Sequence, residues 1–207
     1  MDQSMFSNLT STACKLQKNG VSLATNLAAI GLRLYLAPIF WMAGLSKFQH
    51  FDDTVSWFGN AEWGLGLPLP WLMAFLATAT ELCGAVLLTI GLATRLISIP
   101  LIFTMIVAIV TVHWDHGWQA IADAKAPFAN EQVLAAPEKL ERARDILQEY
   151  GNYEWLTSSG KFVILNNGIE FAATYLLMLV ALIALGAGSY FSADFWIWRH
   201  FSKRLKN

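Results

Sequence analysis

Charge is scarce in this 207-residue chain: Asp, Glu, Lys and Arg together make up 14% of it, and the formal net charge is −1. A near-neutral chain offers no basic stripe to a phosphate backbone, so no nucleic-acid partner is expected. Cysteine is scarcer still, with two residues. Cys83 falls inside an apolar run and Cys14 before the first one, so a disulfide or dithiol mechanism within one chain is not expected. The first twenty residues are rich in Ser, Thr and Asn and hold no apolar run ahead of Lys15 and Lys18. A cleavable signal or a lipid-modified Cys14 would need such a run, so the first apolar helix is expected to be an uncleaved anchor. Nucleophile elbows, phosphate loops and dinucleotide fingerprints are also absent, which leaves no flavin, nicotinamide or nucleotide site in view.

What the chain has in abundance is hydrocarbon. Hydrophobic residues make up 56% of it, and the mean hydropathy is +0.45, a balance that suits lipid better than water. A bilayer core of about 30 Å takes roughly 20 apolar helical residues. Runs of that kind lie at about 24–45, 71–91, 96–113 and 168–189. The expected fold class is therefore all-α, an integral membrane four-helix bundle. Leu92, Ala93, Thr94 and Arg95 alone separate the second and third spans, the length of a tight antiparallel connection.

Four spans place Lys15, Lys18, Arg95, Arg199, Lys203, Arg204 and Lys206 on one side. By the positive-inside rule that side is the cytoplasm, with both termini in it. The nine Trp then fall near the span ends, at the headgroup level where a half-wet indole is most stable, although for any single Trp ordinary packing is an equal alternative. Outside the membrane, residues 46–70 predict a short interfacial helix capped by Asp52 or Asp53. The outer insert, 117–167, predicts an amphipathic helix starting at Pro137 and ending at Gly151, with Leu140, Ala143, Leu147 and Tyr150 on one stripe. One stripe is too little for a separate domain, so the insert is expected on the membrane surface or against a partner, and 1–207 is read as one membrane domain.

The candidate functional residues are the charges that cost most where they stand. Arg33 and Glu81 both fall near the bilayer midplane by rise per residue and are expected to pair. Either the pair only fixes helix packing, or it serves a function that requires buried charge. Glu170, His113 and His50 lie higher, towards the outer side, so that a ladder of ionisable groups could descend to Glu81 and Arg33 as a proton route or a quinone-headgroup pocket. Asn166 and Asn167 could hydrogen-bond a carbonyl ligand there, or simply form a turn and cap. His113, Asp115 and His116, with His50 in addition, make a weak candidate metal set, since helix-end histidines are more often just solvated.

The residues also resemble a known family. The stretches GLRLYLAPIFWMAGLSKFQHF, ATATELCGAVLLTIGLATRLISIPL and NNGIEFAATYLLMLVALIALGAGSYFSADF carry Arg33, the Gly44 and Lys47 pair, Glu81 with Gly84, the Gly91 and Arg95 turn, Glu170 and a terminal Gly-Ser-Tyr…Asp run. In this order and spacing the chain resembles the DoxX family of bacterial four-helix membrane proteins. The long insert is similar to that of a branch associated with maturation of copper-binding ribosomal peptides.

The resemblance implies a membrane subunit of a redox system, quinone-linked and working with a periplasmic or membrane partner protein. Glu81, Arg33, Glu170 and His113 would carry the chemistry, and Arg33, Glu81 and Asn167 would hold the quinone. With no redox cofactor motif of its own, such a subunit must receive electrons from elsewhere. Two other classes stand beside this reading: a non-enzymatic membrane anchor, assembly or maturation factor, and a small proton-coupled transporter, which four spans would need a homo-oligomer to enclose.

Overall fold

The computed structural model describes the backbone of residues 3–189 and 191–204 and the side chains of 22–189 and 191–202. The side chains of Cys14, Lys15, Lys18, Lys203 and Arg204, together with Tyr190 and Lys206, lie outside that description. Among the described residues the regular elements are all helices, joined by turns and irregular segments, with one isolated bridge between Ile121 and Leu165. Three helices are long and apolar enough to cross a membrane, Ser22–Gln49, Pro70–Ile90 and Thr94–His116, and a fourth apolar helix, Glu170–Leu185, is shorter. The chain is an all-α membrane protein.

Helix α1 runs Gln3–Gln49, so the first span continues an N-terminal helix without a break. Helix α2, Phe51–Gly59, forms in the segment where a short helix is expected. Its cap differs from expectation: His50 occupies the N-cap and makes no side-chain cap bond, while Asp52 and Asp53 sit in the first turn. There they still face the helix's partial positive end. Helix α3, Pro70–Ile90, opens with Pro at the first turn and closes on Gly91 in the left-handed conformation. Helix α4, Thr94–Ala108, passes into a π-helical turn, Ile109–His113, and a 3₁₀ turn, Trp114–His116.

The insert carries α5, Glu131–Leu134, α6, Ala136–Tyr150, and α7, Tyr153–Thr157. Helix α6 starts with Pro137 in its first turn and is capped at Gly151, as the sequence predicts. Its packed edge is narrower than the four-residue stripe. Leu140, Arg144 and Leu147 are half-buried, Arg144 donates to the Phe162 carbonyl at 3.1 Å, and Tyr150 remains exposed. Helix α8, Glu170–Leu185, is followed by α9, Ala193–Arg204.

Two compact units divide the chain: residues 1–103 with 177–207, and residues 104–176. In the first, the buried core is made by Ala29, Leu36 and Phe40 of α1, Ala74, Ala85 and Leu88 of α3, Leu101 of α4, and Leu179 and Leu182 of α8. Much of the remaining apolar surface is open, including Trp41, Met42, Trp71, Phe75, Leu96 and Phe103. An outward-facing apolar surface on apolar helices is the signature of a lipid-solvated bundle, in which small residues set the close contacts. Among the Trp residues, Trp41, Trp63, Trp71, Trp114, Trp118, Trp155, Trp196 and Trp198 are exposed and so are not core residues.

Candidate functional site: a buried ion pair and a carbonyl latch

Glycine brings α1 and α3 together. A Cβ on Gly44 would stand 2.9 Å from Leu82 Cγ and 3.0 Å from the Leu82 nitrogen, so the helices touch where the side chain is missing. Eleven residues earlier in α1, Arg33 reaches Leu88 and Thr89, later in α3, so the two helices run antiparallel. A Cβ on Gly84 would likewise meet Leu101 at 2.9 Å, which closes α4 onto α3.

One turn beyond Gly44, Lys47 leans back along its own helix, as helical side chains do, and so points into the span rather than out to water. Its Nζ donates to both carboxylate oxygens of Glu81, at 3.0 and 2.8 Å. Glu81 is 4% exposed, whereas the Lys47 side chain keeps 25% of its surface. The ion pair is thus sealed on the carboxylate side and partly exposed along the lysine side chain. Two of the three ammonium N–H groups engage Glu81, and the third is available to an acceptor approaching from the open side.

Glu81 therefore does not pair with Arg33. The expected Arg33–Glu81 bridge is replaced by Lys47–Glu81, because the Arg33 side chain leans towards the start of α1 and so leaves the midplane. Its guanidinium instead binds backbone carbonyls: Nε to Leu88 at 2.8 Å, Nη1 to Ala187, and Nη2 to Thr89 at 3.0 Å and Phe191 at 3.1 Å. Leu88 and Thr89 belong to the last turn of α3, whose carbonyls have no partner within the helix. A planar cation with donors in a fixed fork satisfies several such carbonyls at once. Arg33 latches the end of α3 to the chain leaving α8.

The turn between α3 and α4 is built around this latch. Gly91 has φ +67°, and a Cβ there would lie 2.6 Å from Arg33 Cζ and 2.7 Å from Ser192 Cβ. Asp194, in the first turn of α9, accepts from the Ala93 and Thr94 nitrogens at 2.7 and 3.1 Å and so caps α4 from a distant part of the sequence, while its own nitrogen donates to Gly91. Arg33, the Gly91 turn and the Phe191–Asp194 segment thus form one hydrogen-bonded knot.

The second unit holds the other candidates. His113 closes the π-helical turn, and its Nδ1 lies 2.8 Å from the Asn167 carbonyl. Asn167 takes a left-handed conformation, φ 60°. Asn166 donates through Nδ2 to the His116 and Gln119 carbonyls, both at 2.7 Å, and so serves as a structural clip. Glu170 accepts from the Ala120 nitrogen at 2.9 Å and lines a 320 Å³ hollow with Trp118, Gln119, Asp123 and Phe171.

The proposed ladder divides accordingly: Arg33, Glu81 and His50 fall in one unit, and His113, Glu170 and Asn167 in the other. His113 and Asn167 are brought together; Arg33 and Glu81 are not. For the weak metal set, no group of three His, Cys, Asp or Glu placed to hold an ion occurs among the described residues; His50 belongs to the first unit, and His113, Asp115 and His116 to the second. Sequence reasoning missed Lys47 as the partner of Glu81 and Asp194 as a cap. The signal for the first was the Gly44–Lys47 spacing of one turn, which couples a close helix contact to a cation on the same face.

Comparison with known proteins agrees with the architecture. The DoxX family model matches residues 28–114. Putative oxidoreductase CatD of Bacillus subtilis (strain 168) is 42% identical over 81 residues, which cover 39% of this chain and 56% of that protein. Inner membrane protein YphA of Escherichia coli (strain K12) is 33% identical over 95 residues, or 46% of this chain and 64% of that protein. The chain thus spans less than two thirds of the length of either curated relative. No solved structure matches it.

Proposed function

Taking residues 28–114 as the DoxX-family segment of a multi-pass membrane protein, we propose that the chain is the membrane subunit of a quinone-linked redox system that works with a partner protein. The observation that carries this reading is the Lys47–Glu81 pair, a charge-assisted bond inside an apolar span, closed at Glu81 and open at Lys47. Ionisable groups in a membrane interior are expensive and by default mark a functional position. The relative from Bacillus subtilis bears an oxidoreductase name, which favours redox work over pure scaffolding.

The residues fit a quinone headgroup. The remaining Lys47 N–H is a donor for a carbonyl oxygen, at a surface that an amphiphile reaches from the lipid. A bound quinone would supply two-electron, two-proton carrier chemistry, with the electrons exchanged with the partner protein and the protons through groups of this chain. Lys47 orients and polarises a carbonyl oxygen, and Glu81 holds the ammonium in place and accepts or returns a proton as the local charge changes. Arg33, with four of its donors committed to backbone, is a positioning residue that keeps α1 against α3. His113 and Glu170 are assigned to proton exchange on their own side of the chain. In His113, a ring held through Nδ1 leaves Nε2 for a passing proton. By the positive-inside rule both termini are cytoplasmic, and the inner membrane suggested by the name of YphA is the assigned location.

The test is purification from native membranes in mild detergent, with mass spectrometry of co-purifying quinones and proteins, beside Lys47→Gln and Glu81→Gln. Quinone near stoichiometry in the wild type and depleted in both folded variants is the expected result. Folded protein that retains a partner but never carries quinone would overturn the redox assignment in favour of an anchor.

A further inference from the structure

A second feature, independent of the ion pair, lies where the first unit's helices end. A cleft of about 700 Å³ is bounded by Ser22 and Asn26 of α1, Ala93, Arg95 and Leu96 around the head of α4, the Leu185–Ser189 loop, and Asp194 and Trp198 of α9. Arg95 is the cation among its described lining residues. The guanidinium lies flat on Gly186, where a Cβ would be 3.2 Å from Nε and 3.3 Å from Nη2, and one N–H reaches the Ala184 carbonyl at 3.3 Å. Gly186 is therefore the residue that lets the guanidinium rest in the cleft wall. The arrangement leaves several guanidinium N–H groups for an oxyanion, and a planar fork suits the oxygens of a phosphate.

The one acid in the wall does not oppose such a ligand strongly, because both Asp194 oxygens are taken by the Ala93 and Thr94 nitrogens. The cleft also sits at a definite depth. Arg95 begins a span, and α9 leaves the last apolar helix with Trp196, Ile197, Trp198 and Phe201 all exposed and with Arg199 over the Trp196 ring at 5.5 Å. Exposed indoles and a basic helix following a span are features of the headgroup layer. Further bases, Lys203, Arg204 and Lys206, follow in the sequence and add attraction for anionic lipid.

We infer that this cleft is a binding site for the phosphate of an anionic phospholipid headgroup, with Arg95 as the phosphate ligand and Trp198 as the interfacial wall. The lipid comes from the leaflet on the side of the α3–α4 turn and braces that turn, the α8 exit and α9 against one another.

Native mass spectrometry of delipidated full-length protein, titrated with phosphatidylglycerol or phosphatidylcholine in mild detergent, tests this. Arg95→Gln and Trp198→Ala are run alongside, together with an arm containing inorganic phosphate alone. The expected result is saturable retention of phosphatidylglycerol at least tenfold above phosphatidylcholine, a tenfold or greater loss in Arg95→Gln, a smaller loss in Trp198→Ala, and no stabilisation by millimolar phosphate. Because Arg95 also touches Ala184, each variant's melting temperature is measured without lipid. If Arg95→Gln does not fold, the decision passes to the phosphatidylglycerol preference and to Trp198→Ala. Equal retention of the two lipids, or undiminished retention in folded Arg95→Gln, overturns the site. Phosphate that stabilises the protein and displaces phosphatidylglycerol overturns the lipid as its occupant.

Discussion

Removing one partner of the Lys47–Glu81 pair should cost very different amounts depending on which partner is removed. In Lys47→Met the carboxylate of Glu81, 4% exposed, stays in the helix interface with no cation against it. Breaking a buried pair in this way costs about 3–5 kcal/mol. In Glu81→Gln the group left behind is an ammonium with 25% of its side-chain surface already open. It can keep one bond to the amide or swing its head towards the interface, so the cost is about 1–2 kcal/mol. The double change Lys47→Met with Glu81→Leu strands nothing and should return to within about 1 kcal/mol of the wild type. Equilibrium unfolding in mixed micelles, followed by circular dichroism, gives the three values. Equal losses in the two single variants, or a double variant no better than Lys47→Met, would refute the argument that the pair is sealed on one side only. The double variant also separates packing from function: if it folds and keeps its partner yet loses quinone, the charges serve the chemistry.

Gly91→Ala should lower stability by at least about 2 kcal/mol, since the left-handed backbone penalty adds to a Cβ at 2.6 Å from Arg33 Cζ; a thermal melt in detergent reads it. Gly44→Ala forces its Cβ against the Leu82 backbone and should cost about 1–3 kcal/mol, whereas Gly31→Ala, with nothing within 4 Å, should be neutral or slightly stabilising in the same melt. Arg33→Lys can reach at most three of the four carbonyls, so about 1–3 kcal/mol is lost for each one orphaned; hydrogen exchange should rise first at the end of α3 and at the α8 exit. Asp194→Ala removes the cap on Ala93 and Thr94 and should cost about 0.5–2 kcal/mol, read as faster exchange of those two amides.

The membrane character and the helical elements were legible because hydropathy and turn residues act locally. Runs of apolar residues, Gly91 after Ile90, and Pro137 ahead of a helical stripe each announce an element from a few neighbouring positions. The pairing of charges was not legible in the same way. Rise per residue gives a depth to each Cα, and on that count Arg33 and Glu81 coincide, but the charge sits several ångströms from the Cα and on a definite side of the helix. The lean of side chains towards the start of α1 carries both cations the same way, Arg33 away from the depth of Glu81 and Lys47 towards it, and this exchanges the partners. Asp194 was hidden for a different reason: its acceptors' partners, Ala93 and Thr94, lie 100 residues away in sequence, and no local pattern marks a cap supplied in trans.

The two charged features on α1 explain each other. Arg33 and Lys47 stand fourteen positions apart on one helix, and each is locked to α3, the first through carbonyls at its end and the second through Glu81 near its middle. Gly44, between them, removes the side chain that would hold the helices apart. A pair of helices pinned at both positions cannot slide or rotate without stranding a guanidinium or a carboxylate in hydrocarbon, so the geometry at Lys47 is fixed by interactions that Lys47 does not make. For a group that must present one N–H to a ligand arriving from lipid, such fixation removes most of the ordering cost at the moment of binding. A rigid scaffold and a half-open ion pair are therefore parts of one device, and loosening the Arg33 latch should weaken ligand binding at Lys47 even though no Arg33 atom lies at that site. Arg33→Lys, measured for quinone retention against its own loss of stability, tests this coupling: retention that stays at the wild-type level in a folded but destabilised variant would show the two ends of α1 to be independent.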